Sequence, residues 1–159
     1  MLTRLILLRH GEAKPRAASG SDLDRELTDG GRAAAAQAGR VLAREGPAPD
    51  LALISPAVRT RQTWNAARAA WPTAPPDREE RGLYDQTPAQ LLRLAEATGE
   101  ASVMLVAHNP GVQALAADLA LADPRLGEGF PPASLAVLER EHGGGDWRLA
   151  LFHTPGAAA

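Results

Sequence analysis

The sequence predicts an α/β sandwich on a mostly parallel central sheet, and three observations carry that expectation. Leu5-Ile6-Leu7-Leu8, Leu51-Ala52-Leu53-Ile54 and Val103-Met104-Leu105-Val106-Ala107 are apolar without interruption. Continuous rather than alternating apolarity belongs to strands covered on both faces, as in parallel sheets. Each run is followed by a loop and then by a segment with helical spacing, the alternation that layers helices on a sheet. The chain has 159 residues. That length is enough for one domain with one core, expected over residues 1–154, with a loose tail at 155–159.

The helices follow in order. The first is expected from about Thr28 to Arg44, with Thr28 as N-cap and a small-residue face of Ala35, Ala38, Gly39 and Leu42. The second is expected from about Pro56 to Trp71, capped by Ser55, with Pro56 at the first helical position and Pro72 ending it. A third should run from about Pro88 to Thr98 and stop at Gly99, and a fourth from about Pro110 to Leu121. The proline-rich stretch Pro72 to Asp77 and the segment Ala122 to Ala133 are expected as loops. Leu135–Leu138 and Trp147–Leu151 flank Gly143-Gly144-Gly145 and suggest a hairpin, with Trp147, Leu149 and Leu151 alternating with less apolar neighbours.

Composition excludes several classes. The formal charge is −2 and aromatic residues make up 4%. Nucleic-acid binders show a basic balance and stacking aromatics, so no nucleic-acid partner is expected. There is no cysteine, which removes disulfides, thiolate catalysis and cysteine-based zinc sites. No apolar stretch approaches the roughly 20 residues needed to span a bilayer. No membrane partner is expected, and a cytoplasmic location fits.

In open α/β sheets, ligands sit beyond the carboxyl ends of the strands. Arg9-His10, Ser55-Pro56 and His108-Asn109 all follow predicted strands and should meet at one sheet edge. A neutral imidazole has a free lone pair, so His10 is a candidate nucleophile toward phosphorus. Nearby arginines would lower its pKa further. Arg9 and Arg59 are the candidate clamp, because guanidinium donors match phosphate oxygens. Arg59 falls in the first turn of the second helix, where free N–H groups add to it. His108 would donate a hydrogen bond to the phosphoryl group and Asn109 another, while Gly11 would let the backbone turn and approach the ligand. Each histidine taken alone could simply cap its strand end. A metal shared by His10 and His108 with Glu12 or Asp85 is disfavoured, because the adjacent arginines repel a cation. Asp22 and Asp24 are expected to order the loop before the first helix.

Five segments resemble the histidine phosphatase superfamily, the group shared with cofactor-dependent phosphoglycerate mutases and acid phosphatases. They are LILLRHGEA, DLDRELTDGGRAAA, LISPAVRTRQT, VMLVAHNPGV and FPPASLAVLE, in family order across nearly the whole chain. Within the superfamily the chain is most similar to short bacterial phosphohistidine phosphatases of the SixA type. The resemblance implies a phosphoglycerate mutase-like three-layer α/β/α sandwich and metal-independent chemistry without a cofactor. It implies that His10 takes the phosphoryl group, and that Arg9, Arg59 and His108 complete the phosphate pocket.

Ester-cleaving relatives carry an acidic residue after the second helix to protonate the alkoxide leaving group. Here the nearest candidate is Asp85 in GLYDQT, with Glu79 and Glu80 as outside options, and Asp85 could equally just begin a turn before Pro88. A phosphohistidine substrate relaxes the need for that acid. The expected partner is therefore a phosphate-bearing substrate, a phosphohistidine protein first. A small phosphate ester, or a non-catalytic phosphate-binding module, stays open as an alternative.

Overall fold

The computed structural model describes residues 1–156. Residues 157–159, which hold most of the expected tail, lie outside the described residues. Six strands form one sheet: β1 (Arg4–Arg9), β2 (Leu51–Ile54), β3 (Asp77–Glu79), β4 (Ser102–Ala107), β5 (Leu135–Glu139) and β6 (Arg148–His153). Their spatial order is β3-β2-β4-β1-β5-β6. β1, β2, β3 and β4 pair in parallel, whereas β5 runs antiparallel to β1 and to β6.

The uninterrupted apolar runs are buried on both faces, as expected. Leu5 and Leu7 join one core cluster with Leu53, Val103 and Leu105. Ile6 and Leu8 join a second with Ile54, Met104 and Val106. Alternate side chains of one strand point to opposite faces, so each central strand feeds both cores. Helices α1 (Asp29–Glu45) and α2 (Val58–Ala67) cover the second cluster; α3 (Pro88–Ala97) and α4 (Gly111–Leu119) cover the first. The result is a three-layer α/β/α sandwich. Full burial of each Leu or Ile contributes roughly 1.5–3 kcal/mol.

Thr28 caps α1 by accepting from the Gly31 amide. Gly39 faces the Ala67 carbonyl of α2, where a Cβ would clash, so the small-residue face allows α1 and α2 to lie close. Thr87 and Gln90 form a reciprocal capping box that opens α3.

Four local expectations are corrected. Helix α2 starts at Val58 and not at Pro56, and Ser55 does not cap it. The Thr60 hydroxyl instead holds the Ser55 and Ala57 carbonyls, keeping the preceding segment out of the helix. The helix also tightens to a 3₁₀ turn at Arg68–Ala70. Asp77, the last residue of the expected loop Pro72 to Asp77, opens an edge strand that runs to Glu79. Pro124–Glu128 forms a 3₁₀ turn within the expected loop. Leu149 and Leu151 do not share a face. A register shift pairs Leu138 with Leu149 but Val137 with Leu151, skipping Ala150. Leu149 therefore packs in the first cluster and Leu151 against the second. Among the described residues, no helix is long and apolar enough to cross a membrane.

Candidate active site

Parallel register brings the two histidines together. Arg9 pairs with Ala107 across β1 and β4, so the next residues, His10 and His108, emerge side by side. The His10 amide extends the ladder by donating to the Ala107 carbonyl at 3.1 Å, and the Ser55 amide does the same to Val106 at 3.0 Å. The two imidazole rings lie 5.3 Å apart between centroids. They open into a cavity of about 450 Å³ lined by Arg9, His10, Arg25, Arg59, Tyr84, Asp85, His108 and Asn109. A larger groove of about 550 Å³ lies between the end of α4 and the β5–β6 turn, but it contains neither strand-end histidine.

His10 has a defined tautomer. Its Nδ1 lies 2.7 Å from the Gly11 carbonyl oxygen, which can only accept, so Nδ1 carries the proton and Nε2 is the free ring nitrogen. Burial, then the nearby Arg59, Arg9 and Arg25, push its pKa down to about 4, against the bond to Gly11. At neutral pH the Nε2 lone pair is available. His108 is lowered further, to about 3, by burial and then by Arg59. Its Nδ1 accepts from Arg59 Nη2 at 3.4 Å, while its Nε2 lies 2.7 Å from the Ser55 hydroxyl.

Three guanidiniums face this space. Arg9 sits at the end of β1, held by its Nη1 donating to the Phe130 carbonyl at 2.9 Å. Arg59 projects from the first turn of α2, and its side chain is only 6% exposed. Its Nη1 and Nη2 donate to the Asp22 carbonyl and carboxylate at 2.7 and 2.9 Å. The Nε atoms of Arg9 and Arg59 are buried without a partner among the described residues. One hydroxyl ties the clamp to the nucleophile loop: Thr63 accepts from the Gly11 amide at 3.0 Å and donates to the Arg59 carbonyl at 2.7 Å.

Arg9, His10, Arg59, His108, Asn109 and Asp85 therefore share one cavity. Gly11 does not line it. Its amide is spent on Thr63, and a Cβ there would lie 2.5 Å from the Gly31 carbonyl oxygen. Glycine is needed at this position for packing against α1. Asn109 lines the cavity, but its amide nitrogen donates to Gln113 and Phe130, each at 3.1 Å, away from the expected oxyanion contact. Asp85 sits exposed at the rim with φ 57° and makes no hydrogen bond or ion pair among the described residues.

Four neighbours were not anticipated as site residues. Asp22 does more than order its loop, because its carboxylate joins Arg59, Arg25 and the Tyr84 hydroxyl at 2.9, 2.9 and 2.6 Å. Those donors, Tyr84 first, hold its carboxyl well below the usual range. Ser55 has the sequence pattern of a helix cap and is instead the partner of His108. Arg25 lies in the segment DLDRELTDGGRAAA and Tyr84 directly before Asp85 in GLYDQT; those two segments were the available signal, and neither residue is singled out within them.

Known proteins share this architecture. A SixA protein from Agrobacterium tumefaciens, assigned as a phosphohistidine phosphatase, is 34% identical, with 98% of this chain and 99% of that chain covered and a TM-score of 0.85. Its counterpart from Nakamurella multipartitia is 29% identical over 98% and 97% of the two chains, with a TM-score of 0.83. The protein histidine phosphatase SixA complexed with tungstate shares the fold at 24% identity, with a TM-score of 0.75 over 96% and 97% of the chains. No curated protein matches the sequence. The profile of the histidine phosphatase superfamily, branch 1, matches residues 5–86. With that match and the near-full-length 34% identity, the chain belongs to the histidine phosphatase superfamily.

Proposed function

We propose that this chain is a phosphohistidine phosphatase that acts on a phosphorylated protein through a phosphohistidine intermediate on His10. Family membership supports phosphatase function. The observation that carries the finer reading is the pairing of His10 Nδ1 with the Gly11 carbonyl. It leaves Nε2 unprotonated in a cavity that Arg9, Arg59 and His108 share.

In the first step the Nε2 lone pair attacks phosphorus in line. The bond from phosphorus to the substrate's imidazole nitrogen breaks, and that imidazole leaves with the electron pair and takes a proton from solvent. In the second step water attacks phosphorus and the bond to Nε2 breaks. The products are inorganic phosphate and free His10, with the water's proton passing to solvent. Phosphoryl transfer spreads charge over three equatorial oxygens, so catalysis rests on positioning and electrostatics. Arg9, Arg59 and His108 supply the donors, and losing one such donor typically costs roughly 10²–10³ in rate.

The substrate class follows from the leaving group. An alkoxide needs a proton from an acid, whereas imidazole leaves readily. Asp22 is the carboxylate nearest the clamp, and Arg25, Arg59 and Tyr84 keep it ionised. It holds no proton to give at neutral pH. The rim residues Asp22 and Asp85 are exposed, which suits a side chain presented by another protein. A small phosphate ester is the second reading, favoured by one observation: Asp85 lines the cavity, and its carboxylate has no hydrogen-bond or ion-pair partner among the described residues.

The test is a rate comparison between a phosphohistidine peptide and a panel of phosphate esters, with and without chelator. It is paired with trapping of labelled enzyme. The expected label is acid-labile, alkali-stable and absent from His10→Ala. Near-normal turnover by His10→Ala would overturn the mechanism. Faster cleavage of an ester than of the phosphohistidine peptide would overturn the substrate assignment.

A further inference from the structure

The two histidines are held by different kinds of partner. His10 Nδ1 faces a carbonyl oxygen, which accepts only, so its tautomer is fixed. His108 Nε2 faces the hydroxyl of Ser55 at 2.7 Å, and a hydroxyl both donates and accepts. Ser55 is fully buried at the end of β2. Its hydroxyl has no other side-chain partner among the described residues, and its own carbonyl is occupied by Thr60. The groups around the His108 ring come from several elements: Arg9 and His10 from β1 and its end, Asp22 from the loop before α1, Arg59 from α2, and Tyr84 from the loop before α3. Apart from Ser55, none of them lies within hydrogen-bond distance of Nε2.

Arg59 Nη2 donates to Nδ1 in this structure. Nε2 then carries the ring proton and donates it to Ser55. To donate toward a phosphoryl oxygen, Nδ1 must itself gain a proton. A carbonyl opposite Nε2 would permit that only by making the ring a cation among three guanidiniums, at a high electrostatic cost. A hydroxyl removes the constraint. It can rotate and donate to Nε2 as solvent carries that proton away and another arrives on Nδ1, so the ring stays neutral.

We propose that Ser55 is a positioning residue whose two-way hydroxyl lets His108 exchange its ring tautomer in place and present Nδ1–H to the phosphoryl group. The inference rests on reading the cavity as a phosphoryl site.

The experiment uses the full chain labelled with ¹⁵N-histidine. The wild type is compared with Ser55→Ala and Ser55→Thr, and the ring-nitrogen shifts of His108 are read with and without inorganic phosphate. Steady-state rates on a phosphohistidine peptide are measured alongside. In the free wild type the proton should reside on Nε2, and phosphate should move it to Nδ1. Ser55→Ala should mix the two tautomers in the free enzyme. It should also weaken phosphate binding and lower kcat/KM by about tenfold to a hundredfold, the effect of an unsatisfied buried nitrogen. Ser55→Thr keeps the hydroxyl and should restore both the shifts and most of the rate.

His108 shifts that are the same in Ser55→Ala and the wild type would overturn the assignment. So would a folded Ser55→Thr that behaves as Ser55→Ala does. If Ser55→Thr does not fold, the Ser55→Ala shifts decide alone. A wild type that shows the phosphate-driven proton shift but hydrolyses no phosphorylated substrate would support the role of Ser55 while overturning the phosphatase reading.

Discussion

Arg59 is gripped at both terminal nitrogens by one residue: Asp22 accepts through its carbonyl at 2.7 Å and its carboxylate at 2.9 Å. The guanidinium on α2 is therefore aimed by the loop before α1. The two bonds differ in kind, because only the carboxylate carries charge. In Asp22→Asn the carbonyl contact survives and holds Arg59 in place, while the cavity loses one negative charge. Removing a charge beside the anion clamp is worth about 1 kcal/mol in a solvent-screened site. Inorganic phosphate should then inhibit Asp22→Asn about fivefold more tightly than wild type, with the gain shrinking at high salt. A competitive inhibition constant measured at two ionic strengths checks this. Weaker inhibition would show that aiming, not charge, is what the carboxylate supplies.

The imidazoles set a pH response that needs no substrate. Both are held below the free value of about 6.5. A histidine whose folded pKa is depressed binds fewer protons folded than unfolded, so stability falls as pH drops from 6.5 toward the folded value. For His10, with a folded value of about 4, the loss between pH 8 and pH 5 is about 2 kcal/mol. Urea midpoints across that range should fall, and those of His10→Gln should fall less. A proton NMR titration should place His10 near pH 4 and His108 near pH 3. Titration of either near 6.5 would refute the burial that the cavity gives them.

What was legible in the sequence was whatever burial writes into it. The strands β1, β2 and β4 were visible because both faces are covered, and the rule that ligands sit at strand ends then located Arg9, His10 and His108. β3 left no such trace. Asp77-Arg78-Glu79 is an edge strand, held by its ladder to β2 and by Asp77 accepting from Trp64 at 2.6 Å. A skipped residue opposite β5 separates Leu149 from Leu151, and period-two alternation does not reveal a bulge. Ser55 followed by Pro56 has the pattern of a cap and a first helical position, but the serine hydroxyl is committed to His108. Asp22, Arg25 and Tyr84 meet only through tertiary folding, 62 residues apart from Asp22 to Tyr84.

Gly11 and Gly31 form a close backbone contact that anchors the nucleophile loop to α1. Gly11→Ala would drive a methyl group into the Gly31 carbonyl, and backbone on both sides leaves no flexible group to yield. Overpacking of this kind costs typically 1–3 kcal/mol. A lower thermal midpoint is expected, with kcat reduced because His10 is the adjacent residue. A Gly30→Ala control meets only the Thr28 hydroxyl at 3.9 Å and should leave both unchanged.

Asp85 separates the two substrate readings. It faces the cavity from an exposed turn with φ 57° and has no hydrogen-bonding partner among the described residues. As the acid for an alkoxide leaving group, its loss would remove a proton-transfer contribution of roughly 10²–10⁴ in rate. For an imidazole leaving group the same loss would change little. Asp85→Asn is therefore expected to cleave a phosphohistidine peptide within about threefold of wild type, and to leave the slow hydrolysis of p-nitrophenyl phosphate nearly unchanged, because nitrophenolate also leaves without help. Esters of poorly leaving alcohols are the decisive arm. If wild type turns them over quickly and Asp85→Asn loses that activity while keeping the phosphohistidine rate, the chain is an ester phosphatase with Asp85 as its acid. If wild type barely touches them, Asp85 serves no alkoxide in catalysis, and the leaving group is the imidazole that needs no acid.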